Sequence, residues 1–204
     1  MNTQALVGAY FEEVSRIAEG ISRSDIERVI DELFSAWQRG GRVFIIGNGG
    51  SASTASHFAS DLSKYTLVEG KERFKAMALV DNVSLVSAWT NDSGFGSIFE
   101  EQLKAWAGAG DVLVALSVHG GSGGGDAGPW SQNLVSAARY VKENQGRVVA
   151  LSGFDGGAMS QIADASIVVP ISTEPLATPL IESFHVLLHH LICVALREKI
   201  EGAE

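Results

Sequence analysis

Cysteine occurs once in the 204 residues, at Cys193, so no internal disulfide can form; set in an apolar run, it reads as a buried thiol of a reducing compartment. Basic residues are scarce too. The 15 Lys and Arg against 24 Asp and Glu leave a formal charge of −9, without the concentrated cations that nucleic-acid phosphates or acidic membranes require. The expected partner is a small molecule. There is also no long hydrophobic run: the most apolar stretch, Leu187 to Leu196, contains His189 and His190 and is too short to span a bilayer. The opening MNTQALVGAYFEEVSR lacks the basic flank and apolar core of a signal peptide, and a cytoplasmic protein is expected. With 46% apolar residues the chain can bury one substantial core, so a single α/β domain over residues 1–204 is the simplest organisation.

What is present centres on Val43 to Asp61, VFIIGNGGSASTASHFASD. Apolar β-type residues run into Asn48-Gly49-Gly50-Ser51, and small helix-compatible residues follow. Glycine allows positive φ and close backbone approach, so a strand, a glycine turn and a helix start present unpaired N–H groups at the positive end of a helix dipole. That is a place for an anion. His57 and Asp61, four apart, share one helix face, where they could hold a metal or move a proton; the same spacing also serves ordinary surface ion pairs.

Elsewhere, apolar residues at helical spacing predict helices over Thr3–Glu19 and, from an N-cap at Ser24, up to Gly40-Gly41. Two helices before the first strand offer more apolar surface than one sheet face needs, which assigns part of residues 1–40 to a subunit contact. Further strands are predicted over Ala76–Val80, Val112–Ser117, Arg147–Leu151 and Ile167–Val169, with a polar loop at Thr90–Gly94. His119 is followed by a flexible glycine-rich insert over 120–128, after which Ser131 could cap a helix. Strands alternating with helices imply a five-stranded parallel sheet covered on both faces, with polar loops converging beyond the strand ends. The last long helix, predicted over Ile181–Lys199 within residues 174–200, carries Glu182, His185, His189 and His190. His185 and His189 are four apart and could form a metal pair, whereas His190 points roughly 100° from its neighbour. Such a buried ionisable cluster must be paired, metal-bound or functional.

Taken together, GNGGS at Gly47–Ser51, HFASDL at His57–Leu62, Thr90-Asn91-Asp92, GDVLVALS at Gly110–Ser117, LSGFDGG at Leu151–Gly157 and TPLIESFHVLLHHLIC at Thr178–Cys193 resemble the phosphoheptose (sedoheptulose-7-phosphate) isomerases of the sugar isomerase (SIS) fold. The resemblance spans nearly the whole chain. It implies a doubly wound, three-layer αβα sheet of flavodoxin type and a homotetramer with active sites between subunits. The implied reaction converts a ketose phosphate reversibly to an aldose phosphate.

Carried over residue by residue, the resemblance implies a zinc site of His57, Asp61, Glu182 and His190, with Asp61 and His190 as the catalytic acid and base. Contacts to the sugar phosphate fall on Asn48, Gly49, Gly50, Asn91, Asp92, Ser117, His119 and Glu182, with Ser51 and Ser122 as added candidates and Ser131 as the alternative to Ser122. His189 has no counterpart. Asp61 stands where the family has a longer glutamate, Glu182 where it has glutamine, and His119 where its phosphate loop has serine. Eight helical residues separate Glu182 from His190 by ~12 Å along the axis, so different subunits are the simpler source of the two ligands. The altered phosphate loop keeps a second class open: a catalytically silent SIS scaffold of the type that assists a replication initiator.

Overall fold

Alternate side chains of the central strands point to opposite faces, and both sets are apolar, so the sheet has to be covered twice. The computed structural model describes residues 2–121 and 131–203. Its five strands are β1 (Arg42–Gly47), β2 (Lys75–Ala78), β3 (Val112–Leu116), β4 (Arg147–Ser152) and β5 (Ala165–Val168). They are all parallel and lie in the order β2-β1-β3-β4-β5. Register sets Ile45 beside Val114 and Val114 beside Val149. These side chains face α1 (Thr3–Gly20), α2 (Arg23–Gln38), α3 (Gly50–Lys64) and α8 (Ala177–Glu201). Phe44, Leu113 and Val148 face the other way, toward α5 (Glu100–Trp106), α6 (Gln132–Glu143) and α7 (Gly157–Ile162). The predicted doubly wound, five-stranded, flavodoxin-like architecture is the one observed.

In open α/β sheets the ligand crevice lies beyond the carboxyl ends of the strands where the order reverses, which here is between β1 and β3.

Local differences from the sequence reading have local causes. The second helix is capped by Ser22, whose hydroxyl accepts from the Asp25 N–H at 3.2 Å, rather than by Ser24. Thr90, Asn91 and Asp92 do not form a loop: Asn82 caps α4 (Val83–Ser93) through the Leu85 N–H, and the helix continues until Gly94 at φ 83°. Polar composition misled there because the far turns of α4 are exposed and need no apolar face.

The 25-residue α8 starts earlier than predicted and is long and apolar enough, by length and composition, to cross a membrane, which Leu187–Leu196 taken alone is not. Its buried stripe of Leu180, Phe184, Leu188, Ile192 and Leu196 belongs to the core beneath the sheet, and half of the apolar window is buried inside the protein.

Candidate metal and active site

Between β1 and α3 the chain turns so tightly that a Cβ on Gly47 would lie 2.5 Å from the Ser51 carbonyl oxygen. Gly49 occupies the N-cap position at φ 57°, with no side-chain cap, so that among the described residues the first N–H groups of α3 are open to a ligand. Two predicted contacts already have protein neighbours. Asn48 exchanges a reciprocal pair of amide hydrogen bonds with Asn133 on α6, at 3.0 and 2.8 Å, and the Glu182 carboxylate lies flat against Gly50. Asn133 was not foreseen, since sequence offers no signal for a pairing 85 residues apart.

Seven residues along α3, where the helix packs on α8, the imidazoles and one carboxylate meet. Oδ2 of Asp61 lies 3.5 Å from His57 Nε2, 3.5 Å from His189 Nδ1 and 3.4 Å from His190 Nε2, and the His57 and His190 Nε2 atoms are 3.4 Å apart. One ligand atom from each of the four residues falls within 4.8 Å of all the others. Zinc held at about 2.0 to 2.1 Å in a tetrahedron sets its ligands about 3.3 Å apart, so the spacing suits a divalent cation.

His57 and His190 are half-exposed, Asp61 is partly buried and His189 is fully buried. The His189 ring stacks on Phe58, 5.2 Å between centroids, and neither of its nitrogens has a hydrogen-bond partner among the described residues. Burial, reinforced by the neighbouring His190 and His57, pushes its pKa down to about 3, so the ring is neutral with a lone pair available for a metal. Sequence reasoning found His57, Asp61 and His190 but gave His189 no role in the set.

The predicted His185–His189 pair is not formed. His185 is turned into the core beside Ser152, and burial lowers its pKa to about 4. Glu182 does not belong to the four-residue cluster of its own chain. Cys193 shares with Asp61, Tyr65, His190 and Val194 the wall of a cavity of about 300 Å³ next to the cluster; burial, and secondarily the Asp61 charge, push its thiol pKa up, so it is not a nucleophile.

The remaining predicted contacts lie on separate elements. Ser51 is buried in the first turn of α3. Ser117 is buried at the end of β3, its N–H bonded to the Leu151 carbonyl. The His119 ring packs on Phe154 at 4.3 Å, joining the loops after β3 and β4. Asn91 and Asp92 are exposed on α4 and hydrogen-bonded to each other at 2.8 Å. Ser131 stands at the N-cap of α6 with φ 59° and makes no side-chain cap. Ser122 and most of the glycine-rich insert lie outside the described residues.

Residues 9–153 match the SIS domain. The lincomycin biosynthesis protein LmbN of Streptomyces lincolnensis is 55% identical over 163 residues, covering 80% of this chain but only 58% of that protein. The phosphoheptose isomerase of Geobacter sp. (strain M21) is 33% identical over 181 residues, 89% of this chain and 87% of its own. Among solved structures, phosphoheptose isomerase GmhA from Neisseria gonorrhoeae superposes with a TM-score of 0.81 at 31% identity, covering 96% of this chain and 98% of that one.

Proposed function

Because the chain belongs to the SIS domain family, we propose that it interconverts a ketose phosphate and an aldose phosphate, with sedoheptulose 7-phosphate to D-glycero-D-manno-heptopyranose 7-phosphate as the first reaction to test. The observation that carries this reading is the convergence of three ring nitrogens on one carboxylate oxygen where α3 packs on α8. Aldose–ketose exchange moves a proton between C1 and C2 through an enediolate, which calls for a base, an acid for the oxygen, and stabilisation of the developing charge.

Asp61 and His190 supply the first two and exchange roles between directions. Because Oδ2 of Asp61 faces the histidines, its second oxygen is left to take the carbon-bound proton. The free N–H groups at the start of α3, together with Ser51, Ser117, His119, Asn91 and Asp92, are the groups that would hold the sugar phosphate. Glu182, beside Gly50, would accept from substrate hydroxyls. His57, Asp61 and His190, with Glu182 in the set the resemblance implies, would hold a divalent cation, for which zinc suits the donors; bound there it would polarise the substrate carbonyl.

Uncovered apolar residues support assembly. α1 buries only Ile17 and exposes Leu6, Val7 and Phe11, while α8 exposes Leu187, Leu191 and Val194 around His190. Burying both stripes against further copies favours a homotetramer in which His57 and His190 lie between subunits. The acidic charge and the buried Cys193 fit a protein of the reducing cytoplasm.

The identity to the lincomycin biosynthesis protein supports a second substrate class, a related sugar phosphate of specialised metabolism. A coupled assay on a panel of phosphoketoses, with and without zinc, tests the proposal. Turnover of sedoheptulose 7-phosphate supports the first reading, and turnover of another phosphoketose alone the second. No turnover at any metal load by intact oligomers would favour the silent scaffold.

A further inference from the structure

His189 and Glu182 compete for one place in the metal set, and three observations separate them. His189 is fully buried, yet neither ring nitrogen is hydrogen-bonded among the described residues; a buried polar ring left this way costs free energy unless something else satisfies it. Its Nδ1 already sits at 3.5 Å from Asp61 Oδ2, the same spacing His57 shows, and the stack on Phe58 fixes the plane of the ring. The third observation concerns Glu182. Seven residues of α8 separate it from His189, about 10 Å of axial rise, and its carboxylate lies on Gly50 at the start of α3, while His57 and Asp61 are two to three turns further along that helix.

We propose that His189 supplies the fourth protein ligand, so that His57, Asp61, His189 and His190 form a cation site complete within one chain, and that Glu182 is left at the substrate end of the crevice. This rests on the reading above that the cluster holds a divalent cation. It differs from that reading in two consequences. Metal affinity does not depend on the neighbouring subunit, and the donor set contains three imidazoles and one carboxylate rather than two of each.

Both consequences can be read without turnover. The chelator-stripped chain is titrated with Co²⁺ by calorimetry, with the visible spectrum of bound Co²⁺ as a second readout, and Zn²⁺-loaded protein is examined by X-ray absorption to count imidazole ligands. The expected result is three imidazoles in the wild type, Co²⁺ binding weakened in His189→Phe by more than the roughly 10- to 100-fold that loss of a merely supporting group costs, and an unchanged affinity and spectrum in Glu182→Gln. Two imidazoles, or loss of binding in Glu182→Gln with full binding in His189→Phe, overturns the assignment of His189 while leaving a metal site in place. Failure of the wild type to bind Co²⁺ or Zn²⁺ overturns both this inference and the metal reading beneath it. The X-ray count uses the unaltered chain, so the inference stays testable if His189→Phe does not fold.

Discussion

Asp61 and His190 come from different helices, yet Oδ2 of Asp61 lies 3.4 Å from Nε2 of His190, and His57 Nε2 is 3.4 Å from the same ring nitrogen. A carboxylate and a half-exposed imidazole held this close can hand a proton to one another once substrate shields them from water. Neither helix could create the pair alone: Asp61 owes its position to the core contacts of Phe58 and Leu62 on α3, and His190 to Ile192 and Leu188 on α8.

Asp61→Asn keeps the volume and removes both the charge and the basicity. Turnover is expected to fall by roughly 10²- to 10⁴-fold, the share general acid–base catalysis supplies, and the urea midpoint to stay near that of the wild type. Steady-state rates beside a denaturation curve check this. Wild-type rates would take Asp61 out of the chemistry.

A cation that binds the folded cluster and not the unfolded chain must also stabilise the fold. At a free zinc concentration 100 times the dissociation constant the gain is about 2.7 kcal/mol, seen as a higher melting temperature that a chelator reverses. Equal melting curves with zinc and with chelator would mean that the ring nitrogens serve no metal.

How far this was legible in the sequence differs by element. The β1 turn was readable because Gly47, Gly49 and Gly50 leave few backbone options, and alternating strands and helices fix a parallel sheet without coordinates. His57 and Asp61 were readable because four-residue spacing is a local rule. His189 was not: helix arithmetic puts it 100° from His190, and only the approach of α3, with His57 ring centroids 4.6 and 4.9 Å from the two, brings both rings to one carboxylate. The Asn48–Asn133 pairing and the resting place of Glu182 on Gly50 are likewise products of tertiary packing, invisible to any window on the chain.

Asn133 is almost fully buried and satisfies both ends of the Asn48 amide. Asn133→Ala leaves that amide partly unpaired inside the crevice and should cost about 1 to 3 kcal/mol of stability. It should also raise the KM for the sugar phosphate, since Asn48 is no longer held in place. Urea unfolding and substrate titration measure the two effects, and an unchanged stability would deny the pair its structural role.

Glycines 47 and 50 should respond differently to alanine. At Gly47 the new Cβ meets the Ser51 backbone at 2.5 Å, with no side chain free to move aside, and loss of soluble, cooperatively folding protein is expected. At Gly50 the obstacle is the end of the Glu182 side chain at 2.4 Å, which can rotate away, so folding should survive while substrate binding weakens. Thermal unfolding of both variants decides; equal damage would mean the Glu182 carboxylate is fixed rather than mobile.

His185 gives the fold a pH dependence of its own. Its ring is fully buried and burial holds its pKa at about 4, against an ordinary value of 6.5. Between those two values the unfolded chain binds a proton that the native chain refuses. The unfolded state therefore binds more protons, and stability falls as pH drops through that window, being complete above about 6.5 and lost progressively toward about 4. At 1.36 kcal/mol per pH unit the loss by pH 5 is about 2 kcal/mol. Carboxylates paired in the native state add a loss with the same sign at lower pH, and His189, depressed for a similar reason, adds another when the cluster is stripped of metal. The measurement that isolates His185 is a difference: urea unfolding at pH 7 and pH 5 in excess chelator, for the wild type and for His185→Met. Those other groups are common to both proteins and cancel, leaving the wild type to lose about 2 kcal/mol more than the variant. Parallel profiles would mean that His185 takes up its proton without leaving the core, for instance by handing a hydrogen bond to the neighbouring Ser152, whose hydroxyl has no partner among the described residues.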